Sequence, residues 1–332
     1  MSEARLTLAE TEALVAAALE RARTSAVNAR SVARALVAAE ADGLKGHGLS
    51  RVASYAAQAK VGKVDGFAVP AATRPRPGTL AIDAGHGFAF PALDLALAEL
   101  PAIATAQGIG AAAIRRSHHA GAAGHPVERL AEAGFVALLL ANTPSAIAPW
   151  GAARGMLGTN PISFACPLPG SPPLVIDLSL SKVARGTIAA AKQRGEKIPE
   201  GWALDPAGRP TTDPDAALKG TMVPAGEAKG TVLALMVELL AAGLTGANFA
   251  SEASSFLDAA GPPPGTGQLI LVFDPRAFGG DAAVARFGAL ASAIAAEPGA
   301  RLPGSRRLAA RAKARAEGLT IGARLLAEIA AV

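Results

Sequence analysis

Aromatic side chains are scarce and cysteine is nearly absent: 4% of the 332 residues are Phe, Trp or Tyr, and Cys166 stands alone. A single thiol excludes an intramolecular disulfide and a cysteine-built zinc cluster. It suits a reducing compartment, so the cytoplasm is the expected location, with Cys166 as a small core residue. So few rings count against a protein that stacks the bases of a single strand. No clean apolar run reaches about 18 residues, so no membrane span is expected; the stretch Thr231 to Leu244 is shorter and carries Glu238. Met1 to Glu10 is polar, without the apolar core of a secretory signal. A G-x-S-x-G nucleophile elbow and a P-loop are both missing.

The chain is 51% apolar and 18% charged, which describes a globular protein with a large core in two or three units. The formal net charge is only +5. Its basic residues concentrate late, in Arg301, Arg306, Arg307, Arg311, Lys313 and Arg315. They read first as a solvated helix face, next as a phosphate-binding corner, and last as a nucleic-acid surface, which would lack aromatic interleaving. No nucleic-acid partner is therefore expected.

Apolar periodicity predicts two helices over residues 7–40, split near Ser25, and a third from Arg51 to Gln58. Strands are predicted at 80–83, 108–114, 135–140, 161–167, 174–178 and 268–273. Helices are predicted at 91–106, 126–133, 182–194, 282–295 and 306–332, with 230–246 as the most buried. Asp205 to Pro214 reads as a turn-rich loop. Helix at both ends and alternation between them make an α/β fold.

Two clusters carry chemistry. In Gly46-His47-Gly48-Leu49-Ser50-Arg51, an imidazole and a guanidinium sit four residues apart. That spacing can aim both at one small anion. In Ser117-His118-His119-Ala120-Gly121, small residues let a flat ring or a pyrophosphate approach the backbone. Three of the five histidines lie in these clusters, and His125 follows. No carboxylate repeats at ligand spacing, so no metal is expected. Gly108-Ile109-Gly110-Ala111-Ala112-Ala113 fits a loose dinucleotide fingerprint, but it follows a helix and enters a strand, so it reads as a turn. Thr159 and Asn160 close a turn or touch a ligand. Asp177 ends a strand, as a helix cap or as an acceptor for sugar hydroxyls. Lys229, just before a helix, suits a phosphate.

The ordered set resembles the malate/L-lactate dehydrogenase family, whose nucleotide domain is not a Rossmann fold. The resemblance rests on Gly46-His47-Gly48 with Arg51 and Tyr55, Gly62 to Gly66, and Ser117-His118-His119. It continues through Gly158 to Pro161, Asp177, Thr211 to Pro214, Lys229-Gly230 and Leu302-Pro303-Gly304, covering about residues 10–315. It implies an α/β, malate/L-lactate dehydrogenase-like fold with its helical terminal segments packed together. Three domains go with it: residues 1–62 plus 282–332, helical; 63–116 plus 262–281, for substrate and dimerisation; 117–261, for NAD(P). It implies a homodimer that exchanges hydride between NAD(P)H and a small anionic 2-oxo or 2-hydroxy acid. The alternative is a Δ1-piperideine-2-carboxylate/Δ1-pyrroline-2-carboxylate reductase.

Carried over position by position, His47 is the acid/base and Arg51 holds the substrate carboxylate. Thr159, Arg185 and Gly186 lie beside the substrate. His119, Ala120, Gly121, Ala122, Ala123, Asp177, Leu178, Ser179, Lys229, Arg306 and Arg307 line the cofactor. The chain departs from the family pattern in three places. Gly46 replaces a common serine. Thr187 replaces the Asp of cyclic-imine reductases, so with Gly46 it removes their serine–histidine–aspartate relay, and Arg185 replaces a His of the same enzymes. The permanent charge of Arg185 favours a substrate with a second anionic group.

Overall fold

A computed structural model of the chain describes residues 3–332. The chain opens with β1 (Ala4–Leu6), α1 (Leu8–Arg21), α2 (Ala26–Ala41) and α3 (Val52–Lys60), followed by β2 (Ala71–Arg76) and β3 (Thr79–Asp83). Next come α4 (Ala89–Gln107), β4 (Ile109–Ser117), α5 (Gly124–Glu132), β5 (Val136–Ala141), β6 (Ile162–Leu168) and β7 (Ser171–Leu178). A small lobe holds α6 (Arg185–Arg194), β8 (Ala203–Leu204), β9 (Pro210–Thr211), α7 (Pro214–Lys219) and β10 (Thr221–Met222). The chain then runs through α8 (Ala228–Glu238), β11 (Thr266–Phe273), α9 (Arg276–Gly279), α10 (Asp281–Ala296), α11 (Ser305–Glu317), β12 (Leu319–Ile321) and α12 (Ala323–Ala330).

Seven strands form the main sheet in the order β2-β3-β4-β11-β5-β6-β7. Only β3 and β4 are neighbours in parallel, and α4 supplies the crossover that parallel pairing requires. The late strand β11 lies antiparallel to both β4 and β5. One large core packs α1 to α5 against this sheet. Helix α4 is long and apolar enough to cross a membrane by length and composition, yet half of that segment is buried here. Leu93, Leu100 and Ile103 make it a core helix.

The local devices follow the sequence closely. Thr7 and Glu10 form a capping box on α1, and Ser25 caps α2. In the glycine-rich 108–113 run, Gly108 takes φ +78° to end α4, and a Cβ at Gly110 would lie 3.1 Å from Ile103. Both glycines serve the α4–β4 turn, as the residue order predicts.

Four features differ from expectation. The Asp205–Pro214 loop contains β9, which joins β8 and β10 in a three-stranded sheet. The expected C-terminal helix breaks at Gly318 (φ +78°), where a Cβ would meet the Leu6 carbonyl; β12 then pairs with β1. Residues 230–246 form α8 and a π-turn at Leu239–Gly243, and Val232, Leu235, Leu239 and Leu244 stay exposed. A helix apolar on every side does not reveal which side the fold covers. Finally, Arg307 and Arg311 are not on a solvated face. Their side chains are 13% and 17% exposed and bind Asp42 and Glu128.

Candidate active site

Two successive 3₁₀ turns, Lys45–His47 and Leu49–Arg51, carry the first cluster. Gly48 joins them against α2, where a Cβ would sit 2.3 Å from Glu40 Oε2 and 3.1 Å from its Cα. The Leu49 amide donates to the same carboxylate at 3.0 Å. Gly46, by contrast, has open space around the Cβ position. Arg51 folds back so that Nε donates to the Gly46 carbonyl at 2.7 Å. The two terminal nitrogens of its guanidinium have no protein partner among the described residues. A planar two-pronged donor therefore remains available.

The end of β4 brings Ser117, His118 and His119 into the core, 1%, 1% and 8% exposed. The His119 ring stacks on His47, with centroids 5.2 Å apart and planes at 17°. Its Nδ1 lies 2.6 Å from the Tyr55 hydroxyl, and Phe256 packs against it at 5.2 Å. His118 Nε2 meets Gln58 Oε1 at 3.0 Å. The Gln58 amide donates in turn to the Phe256 carbonyl at 2.9 Å. Buried Lys63 donates to the carbonyls of Ser255, Asp258 and Ala260, which pins the loop that presents Phe256.

Burial governs the electrostatics. It pushes His47 down to about 4, with Arg51 acting the same way and Asp177 against it. It pushes His118 down to about 3, aided by Lys63 and Arg51, and carries His119 well below the usual histidine range. Removing a charge from water disfavours imidazolium, and the nearby guanidinium adds to that. All three rings are neutral near pH 7. The His47 Nδ1 is enclosed without a partner, so Nε2 is the nitrogen open to chemistry.

Beside this group runs a cleft of about 730 Å³, lined by Leu44, Gly124, His125, Asp177, Gly304 and Arg306, among others. Asp177 is held from two sides: Gly124 N donates to it at 2.8 Å, and Ser163 Oγ, its register neighbour on β6, donates at 2.7 Å. It thus satisfies an amide at the start of α5. Arg301 and Arg306 are exposed at the rim with no ion pair among the described residues. Arg307 lines the same cleft, but its guanidinium is held by Asp42 and Glu128. In the loop before α5, Ala120, Ala122 and Ala123 are buried, and a Cβ at Gly121 (φ +69°) would press the Phe90 ring at 2.8 Å.

The remaining candidates sit on other elements. Thr159 is fixed by Thr143, whose hydroxyl accepts its amide at 2.8 Å and lies 3.2 Å from its own hydroxyl. Asn160 donates to Ala234 O and to the buried carboxylate of Glu238. Arg185 donates to the Leu218 carbonyl, while Gly186 and Thr187 are exposed beside it. Leu178 is exposed, and Ser179 bonds Ser181. Lys229 is exposed at the start of α8, where a Cβ at Gly230 would lie 1.8 Å from the Ala225 carbonyl.

His47, Arg51, His119 and Asp177 thus share one electrostatic neighbourhood. Thr159, Arg185, Gly186 and Lys229 make no hydrogen bond to it. Sequence reasoning assigned no role to Gln58, Lys63 or Phe256. Lys63 lies in the Gly62–Gly66 run, but Phe256 stands in a loop without periodicity and gives no signal.

The model of the malate/L-lactate dehydrogenase family matches residues 6–330. A (2R)-3-sulfolactate dehydrogenase (NADP(+)) of Chromohalobacter salexigens is 52% identical, over 98% of this chain and 97% of its own. A Δ1-pyrroline-2-carboxylate reductase of Ancylobacter novellus is 39% identical, over 99% and 97%. The crystal structure of Δ1-piperideine-2-carboxylate reductase from Pseudomonas syringae superposes with a TM-score of 0.94 at 36% identity, covering 98% of each chain. The paired histidines, the free guanidinium and the adjoining cleft are therefore those of a chain that belongs to the malate/L-lactate dehydrogenase family.

Proposed function

We propose that the chain exchanges hydride between NAD(P)H and a small 2-oxo acid bearing a second anionic group, as sulfopyruvate does. The observation that carries this reading is the free guanidinium fork of Arg51 one turn from the open Nε2 of His47. The 52% identity to an NADP-dependent sulfolactate dehydrogenase supports the substrate class.

The cleft suits the coenzyme. Glycine at 124 and 304 lets a ligand approach the backbone, Asp177 offers an acceptor, and Arg301 and Arg306 offer unpaired cations. Arg306 is the better phosphate partner of the two adjacent arginines, since Arg307 is already committed to Asp42 and Glu128. His119 to Ala123, Asp177 to Ser179 and Lys229 complete the assigned lining. A reduced nicotinamide, when bound, supplies the hydride.

The protein's own part is grip and proton transfer. Arg51 holds the carboxylate through two parallel N–H···O bonds. In the oxidative direction, neutral His47 takes the hydroxyl proton. In reduction, the charge of the incoming dianion raises the proton affinity of His47, which then donates to the new alkoxide oxygen. Thr159 and Arg185 with Gly186 would face the far end of the substrate, where the Arg185 charge matches a sulfonate or second carboxylate.

The exposed apolar side chains of α8, Val232, Leu235 and Met236, support a homodimer. The three-domain division follows the same reading, with the terminal unit supported by the β1–β12 pair. A buried single cysteine accords with the cytoplasm.

The second reading, reduction of a cyclic imino acid, is favoured by the reductases at 39% identity and by the Pseudomonas structure. A panel separates them. Purified protein is given NADPH or NADH with sulfopyruvate, oxaloacetate, pyruvate or Δ1-piperideine-2-carboxylate, and coenzyme oxidation is followed. Sulfopyruvate is expected to give the highest kcat/KM. A preference for the imine would overturn the first reading in favour of the second, and no oxidation with any of them would remove both.

A further inference from the structure

We propose that Tyr55 is a positioning residue. By donating its hydroxyl hydrogen to His119 Nδ1, it fixes His119 with its proton on Nε2 and so makes that N–H a second donor to the substrate oxygen served by His47. The proposal rests on the functional reading above, but its first test does not.

The hydroxyl of Tyr55 is 2.6 Å from His119 Nδ1 and has no other partner among the described residues. Tyr55 is 0% exposed, wedged against Phe88 and Phe90. Burial raises its hydroxyl above the ordinary tyrosine range, so it stays an O–H donor. If His119 carried its proton on Nδ1 instead, the phenol would have to accept. Its own hydrogen would then be left in the core without an acceptor. One tautomer is therefore strongly favoured.

The ring cannot swing away from this bond. Phe256 lies at 5.2 Å on one side and His47 at 5.2 Å in a near-parallel stack. His119 Nε2 bonds no protein atom and is not among the enclosed orphan nitrogens, which are His47 Nδ1, His86 Nδ1 and His118 Nδ1. His119 also keeps 8% of its surface open. Arg51 and His47 both oppose a charge on His119. A neutral imidazole with a fixed N–H suits stabilisation of a developing alkoxide, because it donates without losing the proton. The two stacked histidines then divide the work: His47 moves the proton and His119 holds the oxygen.

The tautomer is read directly from the ¹⁵N shifts of histidine-labelled wild-type protein near neutral pH. The shifts are expected to show His119 protonated on Nε2 alone, and mixed tautomers in Tyr55→Phe. A wild-type His119 protonated on Nδ1, or on both nitrogens, would overturn the proposal. Kinetics with NADPH and sulfopyruvate test the donor role. His119→Ala is expected to lose about 10²-fold in kcat, the usual effect of removing one such donor. His119→Gln keeps an N–H but cannot titrate, and it should recover most of that loss. Tyr55→Phe should lower kcat on the order of tenfold, as for one hydrogen bond, with KM for NADPH little changed. In the His119→Gln background, Tyr55→Phe should add nothing. Full activity of His119→Ala, or an undiminished Tyr55→Phe effect in that background, would refute the assignment. A wild type that turns over no 2-oxo or imino acid would sink the reaction reading, while the nitrogen shifts still decide the tautomer.

Discussion

His47 is neutral because it is buried beside a fixed positive charge, and Nε2 is its only nitrogen not enclosed. His47→Ala should therefore lower kcat by about 10²–10⁴-fold, the range for a lost general acid/base. The dissociation constant for NADPH, measured by fluorescence titration, should barely change. Arg51→Lys should raise the KM for substrate more than it lowers kcat, because an ammonium lacks the planar fork. Gly48→Ala is expected to yield little folded protein, since its methyl would overlap Glu40, whereas Gly46→Ala has room and should express normally. Soluble yield and circular dichroism of the two variants make the comparison. The pairing of His47 and Arg51 was legible in the sequence because only four residues separate them, on two successive short turns. The partnership of Tyr55 with His119 was not, because it joins residues 64 apart through a fold that spacing alone does not specify.

At the level of elements, α11 is fastened to the C-terminal end of α2 and to α5. Arg307 and Arg311 both reach Asp42 and Glu128, the former carboxylate fully enclosed. Hydrogen bonds from the arginines hold both carboxyls below their usual range despite burial. Removing Arg311 leaves two buried carboxylates to share Arg307, an excess of buried negative charge, so Arg311→Met should cost about 3–5 kcal/mol. Urea melts would show this as a lower midpoint with an unchanged slope. Because Arg307 follows the Leu302-Pro303-Gly304 corner, the same change should weaken NADPH binding. Periodicity marked α1 to α4 and most strands of the main sheet well, because their apolar faces meet a core within the same chain. It failed at Gly318, where the helix ends on a glycine at φ +78° and the chain turns into β12, whose partner β1 lies at the other end of the sequence. It failed again at α8, whose apolar surface exceeds what this chain covers.

Across the whole molecule, three buried histidines set the response to acid. Each has its folded-state value below the ordinary 6.5, so the unfolded chain binds protons first as pH falls. Each can remove up to about 1.4 kcal/mol of stability per pH unit between 6.5 and its own folded value. Asp42 and Glu128, with lowered values, add a loss in the same direction further down. The melting temperature should therefore drop clearly between about pH 7.5 and about pH 5. An unchanged Tm would contradict the buried neutral cluster. Sedimentation should find a dimer, and Val232→Glu with Leu239→Glu should shift it toward monomer, given that both side chains are exposed here.

The placement of β11 between β4 and β5 also bears on biosynthesis. A ribosome releases the two outer partners well over a hundred residues before the strand that must lie between them. Until Phe273 has cleared the exit tunnel, the middle of the sheet is a gap flanked by sticky edges, which any other nascent copy could fill. Slow translation through residues 142–265 would lengthen that exposure, and holdase chaperones would find their binding site there.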